Sequence, residues 1–187
     1  MENLNNYLSA YNDDFKFKDE NEIYLKKFAS YLQIDLDNSI KIGNYLSLGI
    51  GHQIVSTLLI QNLLNGKIEN YYIIDGSDIL INNYKEKYKH KNLHLINDYF
   101  ESFEPDESLK FERIEMGFIL EHVDNPSFIL NKYKNFLSPN GIMHIAVPNA
   151  KSLHRLIGFK AKLLDDIYKL SEYDLILGHK RYYDLDK

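Results

Sequence analysis

The sequence contains no cysteine, which removes disulfides, thiolate metal ligands and cysteine nucleophiles together. No apolar run approaches the roughly 20 residues of a membrane-spanning helix. The N-terminus, MENLNNYLSAYNDD, is acidic and polar where a signal peptide is basic and then apolar, so a cytoplasmic location without membrane contact is expected. Lysine and arginine form no block. With a net charge of −5 and a pI of about 5.8, the chain lacks the concentrated positive face that a nucleic-acid backbone requires. Internal repeats and low-complexity linkers are absent as well. What is present is 187 residues, 44% hydrophobic and 26% charged, the composition of one soluble α/β domain with enough apolar side chains for a core.

The stretch Asn44 to Gln53, NYLSLGIGHQ, carries the strongest local signal. The apolar run Tyr45 to Leu48 stops at Gly49-Ile50-Gly51, and helical spacing of Ile54, Leu58, Leu59 and Leu63 follows directly. The glycines therefore lie at a strand-to-helix turn, where backbone approaches a ligand closely and the free N–H groups of a new helix favour polar or anionic atoms. Before it, Ile23, Tyr24, Lys27, Phe28, Tyr31 and Leu32 predict an amphipathic helix over Asn21 to Gln33 that covers the cofactor side; the stretch up to Asp19 is less regular. After it, a helix from about His52 ends at Asn65-Gly66. The segment Asn70 to Asp75 reads as a second strand, Ser77 to Tyr88 as a helix, Leu93 to Ile96 as a third strand and Phe111 to Phe118 as a fourth. Asn125-Pro126 opens a further helix, Ser138-Pro139-Asn140-Gly141 is a turn, and Ile142 to Val147 is the fifth strand. Strands alternating with helices specify a doubly wound, mostly parallel α/β sheet with right-handed crossovers.

In such a sheet ligands bind outside the carboxyl ends of the strands. The residues there are Gly49, Gly51 and His52 after the first strand, Asp75, Gly76 and Ser77 after the second, and Asn97, Asp98 and Tyr99 after the third. A carboxylate at the second strand's end can accept both hydroxyls of a ribose. Asp98 beside Tyr99 and Phe100 offers an acceptor for an exocyclic amine next to planar surfaces for a purine. Taken singly, Asp75 also reads as a helix cap, and Tyr99 and Phe100 as core.

These positions, with Phe118-Ile119-Leu120-Glu121-His122-Val123, Leu137-Ser138-Pro139-Asn140-Gly141 and Val147-Pro148-Asn149, make the chain similar to class I S-adenosylmethionine-dependent methyltransferases of the bacterial small-molecule type. The resemblance covers about Tyr45 to Tyr183. It implies a Rossmann-like methyltransferase fold, S-adenosylmethionine as cofactor and S-adenosylhomocysteine as product. By it, Gly49 and Gly51 approach the methionine part, Asp75 the ribose, Asp98 and Tyr99 the adenine, and Phe118 lines the pocket. Two positions depart from the family pattern: Ser47 stands where an acid is usual, and Gln53 where a third glycine is usual. They leave a binding-only, degenerate relative as the alternative. A nicotinamide-dependent dehydrogenase is disfavoured by Ile54, which stands where its turn needs glycine.

Methyl transfer from a sulfonium needs a base only when the acceptor is poorly ionised. Of the histidines, His122 follows the fourth strand at the crevice and is the candidate base. Asn149, His154 and Arg155 after the fifth strand, with His179 and Arg181 further on, are expected to contact the acceptor. The arginines suit phosphate or carboxylate. The expected activity is O-methylation of a small polar acceptor, such as a sugar, a nucleotide-linked or a phosphorylated precursor of a bacterial capsule or surface glycan. No histidine pair has one-helix-face metal spacing, so no metal is expected. Residues 1–187 read as a single cofactor-binding domain with a helical cap over about 1–40. Only helical patterns over Leu153 to Leu170, a short Tyr173 to Leu177 segment and a helix-like Tyr182 to Lys187 follow the fifth strand. Family sheets continue through two more strands, so a truncated C-terminus, continuing into a longer protein, is expected.

Overall fold

The computed structural model describes residues 18–186; the part of the expected helical cap before residue 18 lies outside them. In chain order the elements are α1 (Lys18–Asn38), β1 (Ile42–Leu48), α2 (Ile54–Leu64), β2 (Ile68–Asp75), α3 (Asp78–Lys87), β3 (Leu93–Asn97), β4 (Phe111–Gly117), α4 (Pro126–Lys134), β5 (Leu137–Ala146), α5 (Leu153–Lys160) and α6 (Glu172–Ile176). The strands form one sheet in the order β3-β2-β1-β4-β5, all parallel. Chain order reverses between β1 and β4, which opens the crevice at the sheet's carboxyl edge. The Rossmann-like arrangement expected from the alternating pattern is thus present.

Two apolar layers hold the sheet. One packs Leu36, Leu59, Ile60 and Leu63 of α1 and α2 against Tyr45, Tyr71 and Ile73; the other packs Ile129, Tyr133 and Phe136 against Leu46, Ile114 and Met116. The central strands bury both faces, as continuous apolar runs must in a parallel sheet. Local chemistry sets the helix ends. Ser77 caps α3 by accepting from the Leu80 N–H, and Asn125 caps α4 by accepting from the Phe128 N–H at 3.0 Å with Pro126 at the first helical position. Gly66, at φ 75°, takes the left-handed position after α2.

Helix α1 is tied to the sheet by charge. Arg113 on β4 donates through Nε to Asp35 Oδ2 at 2.6 Å and through Nη2 to Oδ1 at 3.0 Å, a two-point fork. Burial works against the Asp35 carboxylate, but Arg113 and His144 outweigh it and hold its pKa below the usual range. The N-terminal turns of α1 then extend over the crevice, and Phe28 packs edge-on against Phe118 with ring centroids 6.4 Å apart.

Three expectations about the C-terminal third change. The Ser138 to Gly141 turn lies inside β5, not before it. Pairing passes from Phe111 with Leu137 to Arg113 with Ile142, so the turn is a bulge in the strand, with Asn140 at φ 64°. The helical pattern over 153–170 is helix only through Lys160. Lys162 adopts φ 58°, and the Leu163 and Leu164 amides turn back to the Gly158 carbonyl. The segment from Tyr182 is extended, not helical: the Tyr183 N–H donates to the Pro148 carbonyl at 3.0 Å and its own carbonyl accepts from Ala150 at 2.7 Å. The Tyr183 ring packs on the core and its hydroxyl donates to the Leu120 carbonyl at 2.9 Å, which holds the segment against the sheet. Among the described residues no helix is long and apolar enough to cross a membrane.

Candidate functional site

The crevice at the carboxyl edge of the sheet is a cleft of about 510 Å³, within the range of sites that bury a small organic ligand. Its floor is the turn after β1. Gly49 at φ 84° and Gly51 at φ 53° take backbone conformations that side chains rarely adopt, and a Cβ on Gly51 would meet nothing within 4 Å. That second glycine therefore faces open space, as a cradle for a ligand must. Gln53 sits at φ 65° just before α2, so the position without the usual glycine still takes the glycine conformation. The loop is pinned from the neighbouring strand. Gly49 N–H donates to the Ile74 carbonyl at 2.7 Å, Ile50 N–H to Asp75 Oδ2 at 2.8 Å, and Ser77 N–H to Asp75 Oδ1 at 2.8 Å.

Asp75 thus uses one lone pair of each oxygen to fix the glycine turn and the start of α3, and it lines the cleft with the remainder. Burial raises its pKa, opposed by the two amides. Ser77 and His52 also line the cleft, and burial lowers the His52 pKa. Gly76 is not among the lining residues. Nor is Asp98, whose carboxylate accepts from the Tyr99 N–H and the Ser102 hydroxyl and so stabilises its own turn. Tyr99, Phe100 and Phe118 do reach the cleft, with Phe118 at φ 59°, a conformation a bulky residue holds only under constraint.

Glu115 on β4 places a carboxyl beside the position where β1 has Ser47. It pairs in register with Ser47, is buried, lines the cleft and accepts from the Gly117 N–H at 2.6 Å. Burial raises its pKa to about 7 even though Ser47 and Gly117 hydrogen-bond to it. A buried carboxyl thus stands on the adjacent strand at the same level of the sheet as Ser47. Sequence reasoning treated Phe111 to Phe118 only as a strand; the one available signal was a carboxylate between Ile114 and Met116 in an otherwise apolar run. Tyr24 and Leu25 of α1 also line the cleft, while Ile23 and Tyr31 of the expected apolar face are exposed.

At the far end stand Glu121, His122 and His179. The Glu121 side chain is fully buried, and neither carboxylate oxygen has a hydrogen-bond partner among the described residues. Burial pushes its pKa up to about 8. His122 is pushed down to about 4, first by burial and then by His179, so its ring is neutral at physiological pH. The two imidazoles meet edge to face with centroids 4.8 Å apart. His179 Nδ1 lies 3.1 Å from Asp174 Oδ1, and Asp174 is itself set by a capping box with Ser171 and by the Tyr182 hydroxyl at 2.9 Å. Although burial works against its charge, His179, Ser171 and Tyr182 hold the Asp174 carboxyl well below the usual range.

Four expected acceptor contacts lie elsewhere. Arg155 is buried behind the cleft, donating to the carbonyls of Ile167 and Lys169 and stacking over Tyr182 at 3.9 Å from the ring centre. Arg181 donates to the carbonyls of Leu120 and Val123, the latter at 2.8 Å, and so holds the loop after β4. Asn149 accepts from the Lys151 N–H, and His154 is exposed on α5. Both arginines are taken up by main-chain carbonyls, a demand that spacing in sequence does not reveal. Of the five residues expected at the acceptor, His179 alone lines the cleft.

The methyltransferase domain family matches residues 7–186, and the chain belongs to that family. Over 129 residues it is 26% identical to malonyl-[acyl-carrier protein] O-methyltransferase 2 of Ilyobacter polytropus, covering 68% of this chain and 48% of that relative. The chain spans about half the length of the curated relative it matches. The N-methyltransferase NodS from Bradyrhizobium japonicum WM9, solved with S-adenosyl-L-homocysteine, is similar with a TM-score of 0.59 at 16% identity, covering 81% of this chain and 78% of that one. The plantazolicin methyltransferase BpumL, solved with a triazolic desmethylPZN analog and S-adenosyl-L-homocysteine, has a TM-score of 0.59 at 18% identity, covering 92% of this chain and 60% of that one. At such identities the likeness is one of fold.

Proposed function

We propose that this chain binds S-adenosylmethionine at the β1 to β3 side of the cleft and transfers its methyl group to an oxygen of a small polar acceptor held at the Glu121, His122 and His179 side. The observation that carries the reading is the joint geometry of one cleft. A glycine turn fixed by Asp75 and open to solvent lies at one end, and a neutral imidazole beside a buried carboxyl at the other. The residues present fit the cofactor. Gly51 has room for close backbone approach, Asp75 keeps lone pairs for a ribose diol, Tyr99 and Phe100 supply flat apolar surface, and Glu115 takes the acidic position facing the amino end. When bound, S-adenosylmethionine would supply a methyl group whose carbon–sulfur bond breaks as the acceptor oxygen bonds to the methyl carbon, the sulfonium leaving as a neutral thioether.

The chain's own contribution is to orient and to exclude water. Helix α1 and Phe118 wall the cleft, which strengthens polar contacts inside it. His122, held neutral, presents a lone pair to an acceptor hydroxyl. The acceptor is a hydroxylated molecule without a required phosphate, because Arg155 and Arg181 are committed to main-chain carbonyls. The capsule-precursor expectation rested on those arginines and loses its support with them. The O-methyltransferase relative acts on a malonyl-carrier substrate by its name, which favours oxygen as the atom methylated here too.

Calorimetry with S-adenosylhomocysteine tests the first half, and release of label from methyl-labelled cofactor to hydroxylated acceptors tests the second. Saturable one-to-one binding with transfer to an oxygen is the expected outcome. Absence of binding overturns the reading. Binding without transfer to any acceptor class would instead establish the binding-only alternative.

A further inference from the structure

We infer that Glu121, His122 and His179 form a binding site for a divalent first-row transition cation at the acceptor end of the cleft. Among the described residues these three bring one ligand atom each within 4.8 Å of one another. Two imidazoles and one carboxylate are a donor set suited to zinc, iron or manganese, with positions left open for a further ligand. Ligand distances of about 2.0–2.2 Å require each of the three side chains to close in by only about 1 Å.

Two independent features favour a cation. The first is the orphaned carboxylate. A fully buried glutamate without a hydrogen-bond partner costs free energy either as an anion or as an unsatisfied acid, and a cation removes that cost. The second is the outer support. Asp174 engages His179 Nδ1, and main-chain groups of Leu177 and Gly178 hydrogen-bond to the His122 ring. Metal-bound imidazoles carry such partners on their second nitrogen, which fixes ring orientation and raises ligand basicity.

The open coordination positions face the cleft and take an oxygen of the acceptor. A hydroxyl held there loses its proton to solvent more easily, because the cation stabilises the oxyanion, and the oxygen is then ready to bond to the methyl carbon. This last part rests on the methyl-transfer reading; the metal site itself does not. It revises the role of His122 from direct base to ligand. The sequence expectation of no metal considered spacing along one helix face, whereas these ligands come from the turn after β4 and the turn after α6.

The test is a titration of the full chain with zinc and manganese chloride, with magnesium chloride as the control, followed by calorimetry and by the visible absorption of the cobalt-loaded protein. One equivalent of zinc or manganese binds, and magnesium, which prefers an all-oxygen shell, binds far more weakly. Glu121→Gln and His179→Asn each lower the affinity at least about 100-fold, and Asp174→Asn, which acts through His179, lowers it about 10- to 100-fold. Circular dichroism and S-adenosylhomocysteine affinity, measured in the same variants without metal, report folding and cofactor binding separately. Failure of the full chain to bind either cation at millimolar concentration overturns the site, as does unchanged affinity in Glu121→Gln. Metal binding without S-adenosylhomocysteine binding would uphold the site and sink the methyl-transfer reading instead.

Discussion

Asp75 shows how one side chain can fix backbone and still line a cleft. Both reasons for its presence were visible as alternatives in the sequence, helix cap or ribose acceptor, and the geometry makes them compatible. Its two oxygens already accept from Ile50 and Ser77, and each retains a lone pair toward the cleft. Asp75→Ala therefore removes the diol contact and releases the glycine turn together. The expected loss is about 2–4 kcal/mol, roughly 30- to 1,000-fold in S-adenosylhomocysteine affinity by calorimetry. Asp75→Asn keeps part of the loop contact and should fall between that variant and the unaltered chain. Equal affinity in all three would remove Asp75 from the site. Glu115 illustrates the opposite case, a residue whose role depends on its neighbour. Nothing in its own strand indicates function; only the register of β1 against β4 places it across from Ser47.

Among the elements, α1 decides how closed the cleft is. Its apolar face packs through Leu32 and Leu36, but its angle over the sheet is fixed near the C-terminal end by the fork between Asp35 and Arg113. Asp35→Asn leaves Arg113, largely shielded from solvent, without its counter-charge, at a cost of about 1–3 kcal/mol in a partly exposed setting. The same change should raise amide exchange along the first turns of α1 and weaken cofactor binding, since Asn21, Tyr24 and Leu25 lie over the cleft. Reduced stability in urea with unchanged exchange in α1 would show that the pair holds β4 alone. At the other end of the sheet, β5 demonstrates a turn signal read correctly in kind and wrongly in place. Ser138-Pro139-Asn140-Gly141 bends the chain as expected, yet β4 pairs on both sides of it and absorbs it as a bulge.

For the whole molecule, the buried carboxyls predict an inverted pH dependence. Glu115 and Glu121, with pKa values raised by burial to about 7 and about 8, bind protons in the folded state that the unfolded chain releases near its ordinary carboxylate range. Their contribution to stability is therefore present at low pH and lost as pH rises through those two values. His122, lowered to about 4, acts oppositely between that value and its ordinary range, and Asp174 does so at still lower pH. One histidine against two carboxyls leaves the carboxyls dominant. The chain without metal should be less stable at pH 8 than at pH 5.5 by on the order of 2–4 kcal/mol, read from urea midpoints at the two values. A flat profile or higher stability at pH 8 would mean that the two carboxyls are not isolated as described.

Sequence alone determined most strands and helices through β4 and the glycine turn after β1. Strands such as Asn70 to Asp75 are short apolar runs bounded by turn residues, and the Gly49 to Gly51 turn declares itself because only glycine accepts those backbone angles cheaply. Such signals are local: each is set by interactions between residues a few positions apart, so they survive in one dimension. The other end of the cleft was legible only in part: His122 and His179 were expected there and line it, but their surroundings were not readable. Arg155 and Arg181 looked like anion ligands from their residue type, but whether a guanidinium meets a ligand or a carbonyl depends on which unsatisfied backbone groups the fold brings near it. Glu121 was quoted as part of a motif without a role, and its meaning arose only when α6 and the following turn carried His179 to it. Tertiary structure decided these because burial, desolvation and pairing are properties of distant segments packed together, and no spacing along the chain encodes them.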